Sequence, residues 1–363
     1  MRLALLTLAV LLPLAVAAQT PCGADAEAMR GLLQTDYGGR DLLLDAGRAA
    51  ELDRLVAEAV AAPTPAACDS LLHTATALFP DGHLGVDTPR PVPERFWPAR
   101  RYGPWGGDLG VRFVGDEAAV LRIPSFDISQ KAAIDSLLLA HGERLGRTPY
   151  LVVNLQSNGG GSDDSFAELL PLLYARPIRM AGAEVVASAG NVDYYASFLD
   201  DPRFDPETLE LVSDIVASLR RVEPGAFAPM GEPGVFDVEF DGPAAMPRAV
   251  ALVVDGAVGS SAEELVLMAR TSAKVTVVGT PTAGALDYSN LRLVALPSGE
   301  RTLRLPTSRR AWLPGFSVDA AGIAPDVVVP RGVTDWDAFA LGVLVAREGV
   351  APDAGVRTSA ERK

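Results

Sequence analysis

The chain has 363 residues, 48% of them hydrophobic, and a formal net charge of −14. That length accommodates one large domain or two of ordinary size with a real core, and the acidic balance argues against nucleic acid or an anionic membrane surface as a partner. Its three histidines and two cysteines form no cluster at ligand spacing, so neither a metal nor any other cofactor is implied.

Residues 1–18 read as a secretory signal: Arg2 precedes an apolar stretch of signal-peptide length, and Ala15, Ala17 and Ala18 supply small residues for cleavage. Thr20-Pro21 ahead of Cys22 does not resemble a lipoprotein processing site. No later segment is long and apolar enough to insert stably in a bilayer. The expected localisation is therefore periplasmic or extracellular, where Cys22 and Cys68 are expected to pair as a disulfide.

Residues 19–90 read as a small helical N-terminal domain. Leu52, Leu55, Val56 and Val60 fall on one helical face, and "PTPAACDS" ends that helix and starts another near Cys68. An irregular connection rich in Pro, Arg and Trp follows, running to Gly107. Residues 91–335 then read as an α/β core. "LGVRFVG" and "AAVLRIP" are strand-like, and "SQKAAIDSLLLAHGERL" is helical. Two units share one plan: strand "YLVVNLQ", turn "SNGGGSDD" and helix "SFAELLPLLYA", then strand "AVALVVD", turn "GAVGS" and helix "SAEELVLMAR". Apolar strands followed by apolar helices imply a covered sheet, with both turns at C-terminal strand ends where such folds gather their sites. Strands are expected at "KVTVVG", "LRLVALP", "RTLRLP" and "GIAPDVVVP", the middle two joined as a hairpin through Pro297-Ser298-Gly299. No element is assigned between residues 176 and 248. Residues 336–363 read as a closing helix and a frayed tail.

Two turns carry candidate chemistry. In "GSSAEEL", Ser260 is either the cap of a capping box with Glu263 or a nucleophile at a helix N-terminus that favours developing negative charge. In "NGGGSDD", Asp163 and Asp164 stand where a phosphate loop needs lysine, which argues against nucleotide. Three successive glycines, Gly159 to Gly161, fit a backbone that must approach something closely and present N–H groups. For a general base, His73 and His141 fall within helices, His141 on the face of Ile134, Leu137 and Leu138. His83 follows a Pro-Asp-Gly turn and is either structural or presented to a site. Lys131, Lys274 and Lys363 have no evident buried setting that would free a lysine to deprotonate a serine.

Together "LVVNLQSNGGG", "SSAEEL", "VVGTPTAGALDYSN" and "GIAPDVVV" resemble the tail-specific (C-terminal processing) serine peptidases over about residues 80–330. The resemblance implies a ClpP/crotonase-like α/β core and hydrolysis of peptide bonds in polypeptide substrates. It implies Ser260 as nucleophile and the N–H groups of Gly160, Gly161 and Ser261 as the oxyanion hole. The family's usual lysine position is Ala285, so the chain is more similar to the branch of the tricorn protease core, whose early histidine matches His83. Asp319 stands where the acid is expected, with Asp81 and Asp287 as rivals. Asn154 and Gln156 replace a common Asp and Arg. The segment between His83 and the glycine turn is too short for core strands plus a PDZ domain. The alternative is a non-catalytic module on the same fold that binds apolar ligands or peptides; an α/β-hydrolase esterase is disfavoured because no G-x-S-x-G elbow occurs. Cleavage preference and oligomeric state are not readable.

Overall fold

The computed structural model describes residues 20–89, 108–202, 206–239, 245–319 and 321–349. The signal, the connection through residues 90–107 and the tail beyond Gly349 lie outside the described residues. In chain order the elements are α1 (Pro21–Thr35), α2 (Ala46–Val60), α3 (Pro65–Thr76), β1 (Gly85–Asp87), β2 (Gly110–Val114), β3 (Ala118–Arg122), α4 (Lys131–Leu145) and β4 (Tyr150–Asn154). A 3₁₀ segment (Asp163–Leu169), α5 (Leu170–Leu173), β5 (Ile178–Val186), α6 (Ala189–Ala196), α7 (Pro206–Arg221), β6 (Phe227–Val238) and β7 (Ala249–Val254) follow. The chain continues through α8 (Ser261–Arg270), β8 (Val275–Gly279), β9 (Tyr288–Ala295), β10 (Thr302–Arg310), β11 (Val327–Val328) and α9 (Trp336–Gly349).

Side-chain caps set the N-terminal helices: Thr20, Asp45 and Thr64 accept from the N–H groups of Gly23, Arg48 and Ala67. Pro21 and Pro65 sit in first turns, where a missing N–H costs nothing. The helical period of α2 buries Leu52, Leu55, Val56 and Ala59. Val60, expected on that face, is 39% exposed, because eight residues past Leu52 it has rotated to the edge of the stripe.

Six strands form a sheet in the order β11-β8-β7-β4-β3-β2, parallel except for the antiparallel edge pair β2 and β3. Every residue of β3, β4 and β8 is buried, as continuous apolar runs require when both faces are covered. Leu151 and Val153 face the cluster built with Ile134 of α4 and Leu265 of α8, whereas Val152 faces Ala340 and Leu344 of α9. A second sheet runs β1-β10-β5-β6, with β9 also paired to β10. The unassigned stretch from 176 to 248 supplies β5, α6, α7 and β6, which share an apolar cluster of Val185, Tyr195, Ile215 and Leu219.

Two elements differ from expectation. "SFAELLPLLYA" is not one helix: a 3₁₀ segment gives way to the single turn α5, because Pro171 has no N–H to return to Ala167. "GIAPDVVVP" pairs only at Val327 and Val328, between two prolines that cannot donate to a ladder.

The N-terminal helices share a core with the hairpin, Leu33, Leu55 and Leu72 packing with Leu296, Leu303 and Leu305. Cys22 and Cys68 form the expected disulfide between α1 and α3. Beside it the buried Arg301 guanidinium donates to Asp69 at 2.7 Å and Asp25 at 3.0 Å. Asp25 also takes the N–H and hydroxyl of Ser298 at 2.8 and 2.7 Å, so the turn between β9 and β10 is locked to both disulfide-bearing helices. Reducing the disulfide should lower stability by up to roughly 4 kcal/mol, the chain-entropy value for a loop of this length, read as a shift in the denaturant midpoint of reduced against oxidised protein.

Candidate active site

Both predicted turns leave the C-terminal ends of adjacent strands, β4 and β7, and one carboxylate joins them. Asp255 Oδ1 accepts from Ser157 N at 3.1 Å and from Ala257 N at 3.0 Å. Gly259 N–H then donates to the Asn158 carbonyl at 3.1 Å, so the serine turn is sewn onto the glycine turn.

Ser260 follows with φ 56° and ψ −129°, a conformation costly for a residue bearing Cβ. It is partly exposed and immediately precedes α8. Ser260 N–H reaches Glu263 Oε2 at 3.2 Å, the glutamate arm of the expected capping box, and Glu263 N–H bonds the Ser260 main-chain carbonyl at 2.8 Å. Glu263 does more than cap. Fully buried, it also accepts from the Thr282 hydroxyl, from Gly284 N at 2.8 Å and from Ala285 N at 2.8 Å. Burial pushes its carboxyl up and these donors oppose the shift. Ser260 N–H is shared with the Ala285 carbonyl at 3.0 Å. Ala285 thus holds the Ser260 turn through its main chain, at the position where the resemblance drawn from the sequence would place a lysine.

The glycine turn differs in detail from its predicted part. Asn158 Oδ1 takes Gly160 N–H at 2.9 Å while its amide donates to the Ile123 carbonyl at 3.1 Å. Gly160 N–H is therefore engaged. What Gly160 contributes is space: a Cβ there would lie 2.7 Å from Ser260 Cβ and 2.6 Å from the Gly259 carbonyl. Gly161 is bridged to Phe126 through its neighbours, and its own N–H, like that of Ser261, takes no acceptor among the described residues.

The Asp81–His83 turn approaches the same place. A Cβ on Gly82 would fall 2.6 Å from Ala285 Cβ, so that turn and Ser260 lie against one Ala285. His83 Nδ1 is 2.6 Å from the Tyr288 carbonyl; bonded to a carbonyl, Nδ1 carries the proton and Nε2 holds the free lone pair. Burial lowers the His83 pKa, the Tyr288 bond opposes this, and Arg304 and Arg310 lower it further.

None of the three candidate aspartates meets the imidazole. Asp81 Oδ1 takes the N–H groups of His83 at 2.8 Å and Leu84 at 3.2 Å. Asp319 takes those of Leu286 at 2.6 Å, Asp287 at 2.8 Å and Gly82 at 3.4 Å. Asp287 returns the bond by accepting from Asp319 N at 3.0 Å and Val318 N at 2.9 Å, with Ser317 Oγ and Trp312 Nε1 as further donors. These carboxylates build the loops on either side of the ring. Sequence reading missed the Tyr288 carbonyl, for which side-chain identity gives no signal, and the reach of Glu263, whose signal was the S-x-x-E motif.

The other basic groups lie elsewhere. His73 and His141 are on α3 and α4, the latter beside Phe113. Lys131 is paired with Asp135 at 2.9 Å. Lys274 precedes β8, at the strand end opposite the two turns. Around the replaced pair, Asn154 donates to Asp337 of α9 at 2.6 Å and accepts from Gln156 N at 2.9 Å, with the buried Arg122 donating to its carbonyl at 3.1 Å. Arginine and acid are thus supplied from other elements.

A strained serine elbow and a glycine turn thus leave adjacent strand ends of the parallel sheet, and the Asp81–His83 turn ahead of β1 in the second sheet lies against the elbow through Ala285. The model of peptidase family S41 matches residues 117–329, more than half of the chain, and the chain belongs to that serine peptidase family. No curated protein matches it in sequence. Among solved structures, a candidate peptidase from Parabacteroides merdae shares the fold at TM-score 0.59 and 16% identity, covering 91% of this chain and 99% of that one. A lipoprotein from Streptococcus agalactiae aligns at TM-score 0.48 and 14% identity over 91% of this chain and 99% of its own. The tricorn protease aligns at 0.35 and 13% over 63% of this chain and 18% of its own, too distant to carry an argument.

Asp319 is pushed up to about 8, first by burial and also by Asp81 and Asp287, against the N–H bonds it accepts. Between about pH 4 and about pH 8 the folded state therefore holds a proton that the unfolded chain releases, and stability should fall as pH rises through that window. Asp319→Asn should flatten the slope, measured as the denaturant midpoint against pH.

Proposed function

We propose that the protein is an exported serine endopeptidase acting on polypeptides, with Ser260 as nucleophile and His83 as base. The observation that carries this reading is the strained Ser260 elbow, because a cap alone has no need of left-handed φ. In the proposed reaction Ser260 Oγ attacks the scissile carbonyl as His83 Nε2 takes its proton. The oxyanion is received by the N–H groups of Ser261 and Gly161, with Gly160 giving room for the substrate to approach. The imidazolium returns the proton to the departing amine, leaving an acyl ester on Ser260. Water, activated by the same nitrogen, hydrolyses that ester. Asp319 acts on His83 through main chain, bonding Gly82 on one side and the loop leading to Tyr288 on the other. Export is supported by the Cys22–Cys68 disulfide, which fits an oxidising compartment.

The test is labelling by a fluorophosphonate together with cleavage of one unstructured polypeptide. Ser260→Ala should abolish both, while Ser261→Ala keeps both because only its N–H is used. His83→Ala should lose on the order of 10²- to 10⁴-fold in rate, and Lys274→Ala little. An unlabelled wild-type protein would leave the non-catalytic binding module instead.

Activity requires neutral imidazole, so it should rise with pH through a midpoint below the ordinary 6.5, in the direction of the His83 shift. A kcat/KM profile checks the sign and the position: an acid limb centred above 6.5 would contradict the assignment of His83.

A further inference from the structure

Tyr37 lies where α1 gives way to the next turn, and it is fully buried. Its phenol donates to Asp81 Oδ2 at 2.8 Å. The other oxygen of the same carboxylate holds the main-chain N–H groups of His83 and Leu84. The Tyr37 ring stands 5.8 Å from the ring of Tyr288, centroid to centroid, and 5.5 Å from that of Phe79, edge-on. Tyr288 is the residue whose carbonyl takes the His83 Nδ1 proton. Tyr37 therefore touches both supports of the imidazole, one through its hydroxyl and one through its ring.

Its own place is set firmly. Gly38 N–H donates to the Pro306 carbonyl of β10 at 2.8 Å, and a Cβ on Gly38 would fall 2.3 Å from the Ser308 carbonyl. Phenylalanine would serve the packing alone. A buried hydroxyl is costly unless it is bonded, and burial holds this phenol far from ionisation, so it remains a donor to Asp81.

We infer that Tyr37, from the helical N-terminal region, is a positioning residue for His83, setting the turn that carries the histidine and backing the residue whose carbonyl orients its ring. This rests on the reading of His83 as the base. The N-terminal helices are then part of the peptidase machinery rather than an appendage to the core.

The experiment compares kcat and KM on the unstructured polypeptide for Tyr37→Phe, Asp81→Asn, their double variant, His83→Ala and Tyr195→Phe. Tyr195 is a control, since its buried hydroxyl bonds Thr307 at 2.9 Å away from these supports. Tyr37→Phe should lower kcat on the order of tenfold, through loss of the one hydrogen bond by which Tyr37 holds the turn, with KM unchanged. The double variant should fall no further than the worse single, as members of one network do, and Tyr195→Phe should keep wild-type kcat. Wild-type kcat in Tyr37→Phe beside an inactive His83→Ala overturns this inference alone, as do two single effects that multiply. An active His83→Ala overturns the assigned base and this inference with it. Should Tyr37→Phe fail to fold, Asp81→Asn decides: unaltered kcat there breaks the link between tyrosine and histidine.

Discussion

The Glu263 carboxylate is the interaction on which the arrangement around Ser260 depends. It lies out of water at the first turn of α8, and burial alone would favour its neutral form. Main-chain donors from Ser260, Gly284 and Ala285, with the Thr282 hydroxyl, replace the lost solvent. In return they fix the loop after β8 against the elbow after β7. An unmade bond to a buried carboxylate is expensive, so loop and elbow keep one geometry, and Ser260 is held in a conformation that its own backbone disfavours.

The same device recurs on the histidine side. Asp81, Asp287 and Asp319 come from three parts of the chain, and each spends its oxygens largely on main-chain N–H groups. Asp287 and Asp319 cap each other's loops in a reciprocal pair. Like charges gathered this closely raise one another's affinity for protons, and burial does so more strongly: Asp81 is pushed up to about 7 and Asp319 to about 8. A loop bound to a carboxylate in this way is rigid without being apolar.

The sheet explains why the fold survives at 16% identity to its structural neighbour. Its parallel strands are covered on both faces, so any branched apolar residues of suitable volume serve. Polar partners are interchangeable as well, provided the set closes. Asn154 stands where an aspartate was expected, and Asp337 from α9 and Arg122 from β3 restore acid and arginine around it.

Sequence alone determined the elements whose period is strong, the strand-turn-helix units around both turns, the cysteine pair and the two candidates Ser260 and His83. Hydrophobic spacing and scarce residue types are local properties that survive without coordinates. It did not reach the elements between residues 176 and 248, nor the break that Pro171 makes ahead of α5. Tertiary structure decided what each candidate group touches: that His83 Nδ1 meets the Tyr288 carbonyl rather than an aspartate, that Asn158 occupies the Gly160 N–H, and that Tyr37 reaches Asp81 across 44 residues. The physical reason is that every residue carries the same carbonyl and all but proline the same N–H. Which of them faces a histidine is set by how loops pack, and no residue name records it.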